Sequence, residues 1–155
     1  ARPVPAQLGP VDLGQVIKDS LALAEVQKWS RGLTFEAELE QGLPACRAEV
    51  NRLTQVLLNL LANAGQAMDR GGKITIKSGR LGKDLFISVA DTGPGIAPED
   101  LSHIFEPFFT RKEPGQGTGL GLSVSRSIAK SFGGRLEVES RLGQGSGFTL
   151  ILPVS

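Results

Sequence analysis

The apolar positions along the chain follow two kinds of spacing, and their order sketches an architecture. Val11, Leu13, Val16, Ile17, Leu21, Leu23, Ala24 and Val26 recur at helical spacing, predicting a helix that ends between Gln27 and Gly32. Leu33-Thr-Phe-Glu-Ala reads as a short strand, Gly42-Leu-Pro breaks the chain, and another short strand is expected around Ala45 to Ala48. A long helix is predicted from about Glu49 to Asp69, stopped by Gly71-Gly72. Lys73-Ile-Thr-Ile-Lys and Asp84-Leu-Phe-Ile-Ser-Val-Ala then read as two strands of a hairpin joined around Gly79 to Gly82.

Gly and Pro punctuate residues 92–98, and a second irregular stretch runs from Glu106 to Gly121, with a short helix from Glu99 to Ile104 between them. Ser123 to Phe132 forms another helix, closed by Gly133-Gly134. Two strands, Arg135 to Ser140 and Gly147 to Leu152, joined through Gly143 and Gly145, finish the chain. No segment repeats another. Helices mixed with antiparallel hairpins predict an α+β sandwich with helices on one face of the sheet.

Composition narrows the class. At 155 residues and 16.4 kDa the chain suits one domain, with residues 1–10 read as a linker remnant and 11–155 as the domain. Hydrophobic residues at 40%, charged residues at 21% and a mean hydropathy of −0.02 belong to a soluble globular protein, and exclude disorder, collagen-like repeats and a disulfide scaffold. No apolar run approaches the length of about 20 residues that a membrane span requires. Lys and Arg total 17 against 16 for Asp and Glu, so the balance of +1 offers no general footprint for nucleic acid or an anionic membrane. The single Cys46 cannot form an internal disulfide and fits a reducing, cytoplasmic setting. With Met68 the only methionine and no signal peptide in view, the chain reads as a domain cut from a longer polypeptide.

Three local patterns carry candidate chemistry. On the long helix, Leu53, Val56, Leu57, Leu60, Leu61, Ala64, Ala67 and Met68 share one broad face, while Gln55, Asn59, Asn63 and Gln66 form a narrow stripe beside it. Stacked amides offer carbonyl oxygens and NH₂ donors in a row, suited to Mg²⁺ together with nucleotide phosphates. A solvated helix face has the same appearance. Asp91-Thr-Gly-Pro-Gly-Ile follows directly on an apolar strand, where a carboxylate can point into a pocket and accept a hydrogen bond from an exocyclic amine. Ordinary turn chemistry also uses these residues.

The third pattern is Gly115-Gln-Gly-Thr-Gly-Leu-Gly-Leu, which sets Gly at alternate positions and then opens a helix. Gly is 20 of 155 residues, against a usual share of about 7%. Such a concentration suits a backbone that approaches something closely, and a helix N-terminus is a natural seat for phosphate. The spacing is neither a P-loop nor the dinucleotide fingerprint. Arg111 and Lys112 would supply cations for the same anion, and a plain flexible loop is the other reading.

Taken in order, Asn59-Leu-Leu-Ala-Asn63-Ala, Asp91-Thr-Gly-Pro-Gly-Ile, Ile104-Phe-Glu-Pro-Phe-Phe-Thr110, Gly117-Thr-Gly-Leu-Gly-Leu122 and Gly143-Gln-Gly-Ser-Gly-Phe148 resemble the N box, first glycine box, F box and second and third glycine boxes of sensor histidine kinases. The resemblance is to their catalytic ATP-binding domain and covers about residues 11–153. It implies a two-layer α/β sandwich of the Bergerat type, a mixed, mostly antiparallel sheet backed by helices, with a mobile ATP lid.

By matching position, Asn59 resembles the Mg²⁺ ligand, Asn63 a phosphate-side contact and Asp91 the adenine-reading carboxylate. Gly93, Gly95 and Ile96 share its turn, and Ser146 would help it through water. Gly117, Thr118, Gly119, Leu120, Gly121 and Leu122 resemble the phosphate-facing backbone. Residues 110–116 would form the lid, with Arg111 nearby and Lys112 reaching the γ-phosphate. Gln66 sits where the family often carries a charged or polar contact. The Phe-Phe-Thr-Arg-Lys run is most similar to the nitrogen-regulation type of sensor kinase.

The resemblance implies a protein-histidine kinase domain that binds ATP·Mg²⁺ and transfers the γ-phosphate to a histidine within two-component signalling. The only histidine, His103, reads as a surface or lid-packing residue, so the acceptor is expected upstream, on a dimerisation domain not in this chain. The fragment alone would then be monomeric and inactive as an autokinase. Its partners would be that upstream domain and, through the full-length protein, a response regulator. Three alternatives stay open: an ATPase of the same superfamily, a kinase directed at serine, and a nucleotide-sensing module without transfer. The first is disfavoured by Gln55, which stands where those hydrolases carry a general-base Glu and cannot take a proton.

Overall fold

The computed structural model describes residues 7–68, 71–109 and 121–155. Its strands are β1 (Gly9–Val11), β2 (Leu33–Leu39), β3 (Cys46–Ala48), β4 (Gly72–Leu81), β5 (Asp84–Asp91), β6 (Arg135–Arg141) and β7 (Gly145–Pro153). The helices are α1 (Leu13–Glu25), α2 (Val50–Gln66), α3 (Pro98–Leu101) and α4 (Gly121–Ser131). Five strands form one sheet in the order β2-β4-β5-β7-β6. β2 and β4 run parallel, and the other neighbours are antiparallel. A parallel pair needs a long crossover, and the segment carrying β3 and α2 supplies it. This is the mixed, two-layer α+β architecture that the sequence implies.

Each helix starts and stops for local reasons. The Asp12 carboxylate accepts the Gln15 N–H at 3.3 Å and opens α1. Glu49 opens α2 by accepting from Asn51 N–H at 2.9 Å and Arg52 N–H at 3.2 Å. At the end of α4, Gly134 N–H bonds to the Ala129 carbonyl and Gly133 N–H to that of Lys130, both at 2.9 Å, which makes a Schellman cap. The inner sheet face presents Ile74, Ile76, Leu85, Ile87, Val89, Leu150 and Leu152, all buried. Leu53, Leu57, Leu60 and Leu61 of α2 and Ile17 of α1 complete that core. On the opposite face, exposed ion pairs join β2 to β4: Lys73 to Glu36 at 3.4 Å and Lys77 to Glu38 at 3.3 Å.

Several boundaries differ from expectation, among them the start of β7 at Gly145, not Gly147, and the end of α2 at Gln66, not Asp69. Val11 is not the first residue of a helix but the buried end of β1, which pairs antiparallel with β3 in a small second sheet. The Asp12 cap forces the switch, because an N-cap residue is not itself helical. The hairpin turn narrows to Gly82 and Lys83, leaving Gly79 inside β4. The helix expected from Glu99 to Ile104 is cut to Pro98–Leu101, and turns continue to Phe108. Past Leu101 the backbone bonds tighten to three-residue turns, His103 N–H to the Asp100 carbonyl at 2.8 Å and Glu106 N–H to that of His103 at 2.9 Å, which do not continue an α-helix. Finally, α4 starts at Gly121, two residues earlier than predicted. Among the described residues, no helix is long and apolar enough to cross a membrane.

Candidate functional site

Asp91 is the last residue of β5, and its side chain points to the inner face with an exposure of 8%. Burial of a carboxylate is costly unless donors meet it. Here Gly93 N–H donates to Oδ1 at 2.9 Å, Ser146 N–H to Oδ1 at 3.3 Å, and the Ser146 hydroxyl to Oδ2 at 2.8 Å. Ser146 therefore reaches Asp91 directly. Two carboxylate oxygens have about four acceptor positions, so three bonds leave capacity for one more donor.

The turn after Asp91 is latched from both sides. Towards the β6–β7 hairpin, Gly143 N–H donates to the Pro94 carbonyl at 2.8 Å and Ile96 N–H to Ser140 Oγ at 2.6 Å. The Ser140 hydroxyl also donates to the Gly145 carbonyl at 3.2 Å. Gly95 adopts φ +78°, and a Cβ there would collide with the Arg141 carbonyl oxygen. Gly145, at φ +112°, lies so close to the Asp91 carbonyl that a Cβ has no room. Both positions therefore require glycine. On the other side, Lys73 N–H of β4 donates to Thr92 Oγ1 at 3.0 Å, and the Thr92 hydroxyl donates to the sulfur of Met68, just past α2, at 3.6 Å.

The amide stripe lies on α2. Asn59 Nδ2 donates across to α4 through two long bonds, to Ser125 Oγ at 3.3 Å and the Gly121 carbonyl at 3.4 Å. With its nitrogen so engaged, the carbonyl oxygen is the atom Asn59 can offer a cation. Asn63, one turn further, is half-buried, whereas Gln66 and Gln55 are exposed. Gly121 and Leu122 form the start of α4, and Leu122 packs against the core.

The F segment brings aromatic rings to the same side. Phe105 meets Phe148 edge-on, with centroids 6.3 Å apart and planes at 86°. The Arg126 guanidinium sits 5.2 Å from the Phe105 ring centre. His103 Nδ1 and Glu106 Oε1 are 2.9 Å apart, and the imidazole lies 6.0 Å from the Phe109 ring. The structure thus brings together Asp91, Gly93, Gly95, Ile96 and Ser146, and separately Asn59 and Gly121. Arg111, Lys112, Gly117, Thr118, Gly119, Leu120 and the lid assigned to residues 110–116 lie outside the described residues.

The sequence pattern marks no part in the site for Thr92, Ser125, Arg126, Ser140 or Gly145. Of these, Thr92 sits in Asp91-Thr-Gly-Pro-Gly-Ile and Gly145 in Gly143-Gln-Gly-Ser-Gly-Phe148. The others act through contacts between remote segments, such as the 44 positions separating Ile96 from Ser140. No local pattern marks such a contact.

Comparison with known proteins places this geometry. Residues 48–155 match the family described as histidine kinase-, DNA gyrase B-, and HSP90-like ATPase. The chain is 43% identical over 154 residues to the sensor histidine kinase ZraS of Escherichia coli K12, covering 99% of this chain and 33% of that protein. It is 36% identical over 151 residues to the histidine protein kinase DivJ of Caulobacter vibrioides, covering 96% of this chain and 25% of that one. Among solved structures, the catalytic domain of the histidine kinase ThkA, nucleotide-free, superposes with a TM-score of 0.84 at 34% identity over 95% of both chains. Full-length ShkA in complex with AMPPNP superposes with a TM-score of 0.85 at 30% identity, covering 99% of this chain and 32% of that one. The chain spans about a third or less of the length of ZraS and DivJ.

Proposed function

Since the chain belongs to the histidine kinase-, DNA gyrase B- and HSP90-like ATPase family, as a histidine-kinase-type catalytic domain, we propose that it binds Mg²⁺·ATP and passes the γ-phosphate to a histidine on an upstream dimerisation segment. The phosphoryl group would go on to a response regulator partnered by the full-length protein. The observation that carries the nucleotide site is the Asp91 carboxylate, buried, held by three donors and able to take one more.

An adenine amino group is the donor this carboxylate would take, and guanine presents a carbonyl at the equivalent position. Ser146 fixes the carboxylate plane, and Gly95 lets the turn lie close to the hairpin. Among the described residues no group of three or more His, Cys, Asp or Glu gathers around a metal position. The donor set still fits Mg²⁺, which keeps several waters and takes one or two protein ligands with substrate phosphates. Asn59 would hold it through the carboxamide oxygen, and the ion when bound neutralises phosphate charge. Asn63, Gly121 and the start of α4 would face the phosphates, where free N–H groups favour an anion. The roles of Arg111, Lys112 and Gly117 to Leu120 rest on their motif alone.

Two readouts test this reading. Calorimetry with ATP, ADP and GTP, with and without Mg²⁺, should give micromolar-range binding that prefers adenine. Asp91→Asn should weaken ATP at least about tenfold, because an amide NH₂ replaces an acceptor among donors. Unchanged affinity in that variant removes the adenine assignment. Mixed with its own dimerisation segment and labelled ATP, the domain should label a histidine. A blank there removes the kinase role while leaving the nucleotide site.

A further inference from the structure

Arg126 lies on the exposed side of α4, outside every motif considered above. Its guanidinium covers one face of Phe105, 5.2 Å from the ring centre. Phe105 in turn sets its edge against Phe148, which is 2% exposed and stands on β7 two residues beyond Ser146. Three segments distant in sequence are joined by this one stack. At one end, α4 begins at Gly121, whose carbonyl receives the Asn59 amide. At the other, β7 begins with the Gly145-Ser146 pair that holds Asp91.

The chemistry of each partner suits the role. A guanidinium is planar and weakly hydrated, and it stacks on an aromatic face where an ammonium would keep its water. An edge-to-face pair of phenyl rings has a preferred direction, so Phe105 cannot swing without losing contact with Phe148. We infer that Arg126 is a positioning residue for the nucleotide: by clamping Phe105 onto Phe148 it fixes α4, which accepts the Asn59 amide of α2, relative to β7, which holds Asp91. Arg126 acts through Phe105 and not on the ligand. A ligand that spans both ends benefits from a preset spacing, and one that occupies the base end alone does not. The inference rests on the nucleotide reading above.

The test compares ATP with adenosine, in Mg²⁺, by calorimetry on the unaltered domain and on Arg126→Ala, Arg126→Lys, Phe105→Leu and the Arg126→Ala/Phe105→Leu double variant. Thermal unfolding is followed on the same samples. Arg126→Ala should weaken ATP about fivefold and adenosine less than about twofold. Phe105→Leu, which keeps apolar bulk, should do the same, and the double variant should be no worse than the stronger single one. Arg126→Lys should recover part of the loss.

If Arg126→Ala weakens ATP while Phe105→Leu does not, the arginine acts directly on the ligand and the inference is overturned. Equal weakening of ATP and adenosine, in step with a lower melting temperature, also overturns it by reducing the stack to fold support. Should the unaltered domain bind neither ligand, the nucleotide reading falls and takes the inference with it. If it binds ATP and Arg126→Ala binds as tightly, the inference alone falls.

Discussion

Asp91 and Cys46 are both buried groups that can carry charge, and the fold treats them in opposite ways. Asp91 is surrounded by donors and left with acceptor capacity. Cys46 is fully buried, and desolvation pushes its thiol up to about 11 from an ordinary 9.0. The thiolate is the reactive form, so this cysteine is inert at neutral pH. Because the native state holds its proton to higher pH than the unfolded chain, the associated stability is complete below about pH 9 and is lost as pH rises towards 11. A Cys46→Ala variant should lack that part of the alkaline loss when melting temperature is followed from pH 8 to 11. Alkylation by iodoacetamide at pH 7.5 should proceed only as fast as the chain unfolds, and rapid labelling of the native protein would contradict the sealed environment. The sequence marks Asp91 as a candidate because a strand precedes it and glycines follow. What it does not mark is Ser146 as a direct partner, since a register between β5 and β7 decides that contact.

At the scale of elements, the Asp91 turn is held in place by the β6–β7 hairpin through Ser140. Ser140→Ala leaves the half-buried Ile96 N–H without its 2.6 Å acceptor. An unmet donor of this kind costs about 1–3 kcal/mol. The variant should lower the unfolding free energy by about that amount and also weaken ATP, because Gly95 and Ile96 lose their anchor. Denaturant unfolding and calorimetry on one preparation check both, and a stability loss with unchanged ATP affinity would detach the latch from the site. Most elements were legible because their patterns are local: the apolar face of α2, the alternation in β4 and β5, the glycines ending α4. β1 was not, because Gly9–Val11 has too few residues for periodicity and is a strand only through its pairing with Cys46–Ala48. The likeness to the nitrogen-regulation type rests on Phe108-Phe109-Thr110-Arg111-Lys112, of which residues 110–112 lie outside the described residues.

Across the whole molecule, structural closure and candidate chemistry sit at opposite ends of one strand. The Gly145 end of β7 holds Asp91, while just past its Pro153 end Val154 bridges to Cys46 and Ser155 N–H donates to the Ala45 carbonyl at 2.9 Å. At about 3.3 Å per residue the two ends of β7 lie about 26 Å apart. The β1–β3 ribbon belongs to the closing end, and Val11 fills part of the core there with 5% exposure. Removing residues 1–11 therefore strips one buried Val side chain, worth about 1.5–3 kcal/mol, together with the β1 ladder. For a domain of this size each kcal/mol moves the melting temperature by roughly 2–4 °C. The shortened chain should melt about 5–10 °C lower. Its affinity for ATP at 25 °C should stay within about twofold, since sites farther apart than about 10 Å without shared partners contribute independently. A tenfold loss of affinity in a chain that still unfolds cooperatively would show that the ribbon and the Asp91 end are coupled through the sheet, and that the two ends of β7 do not work as separate devices.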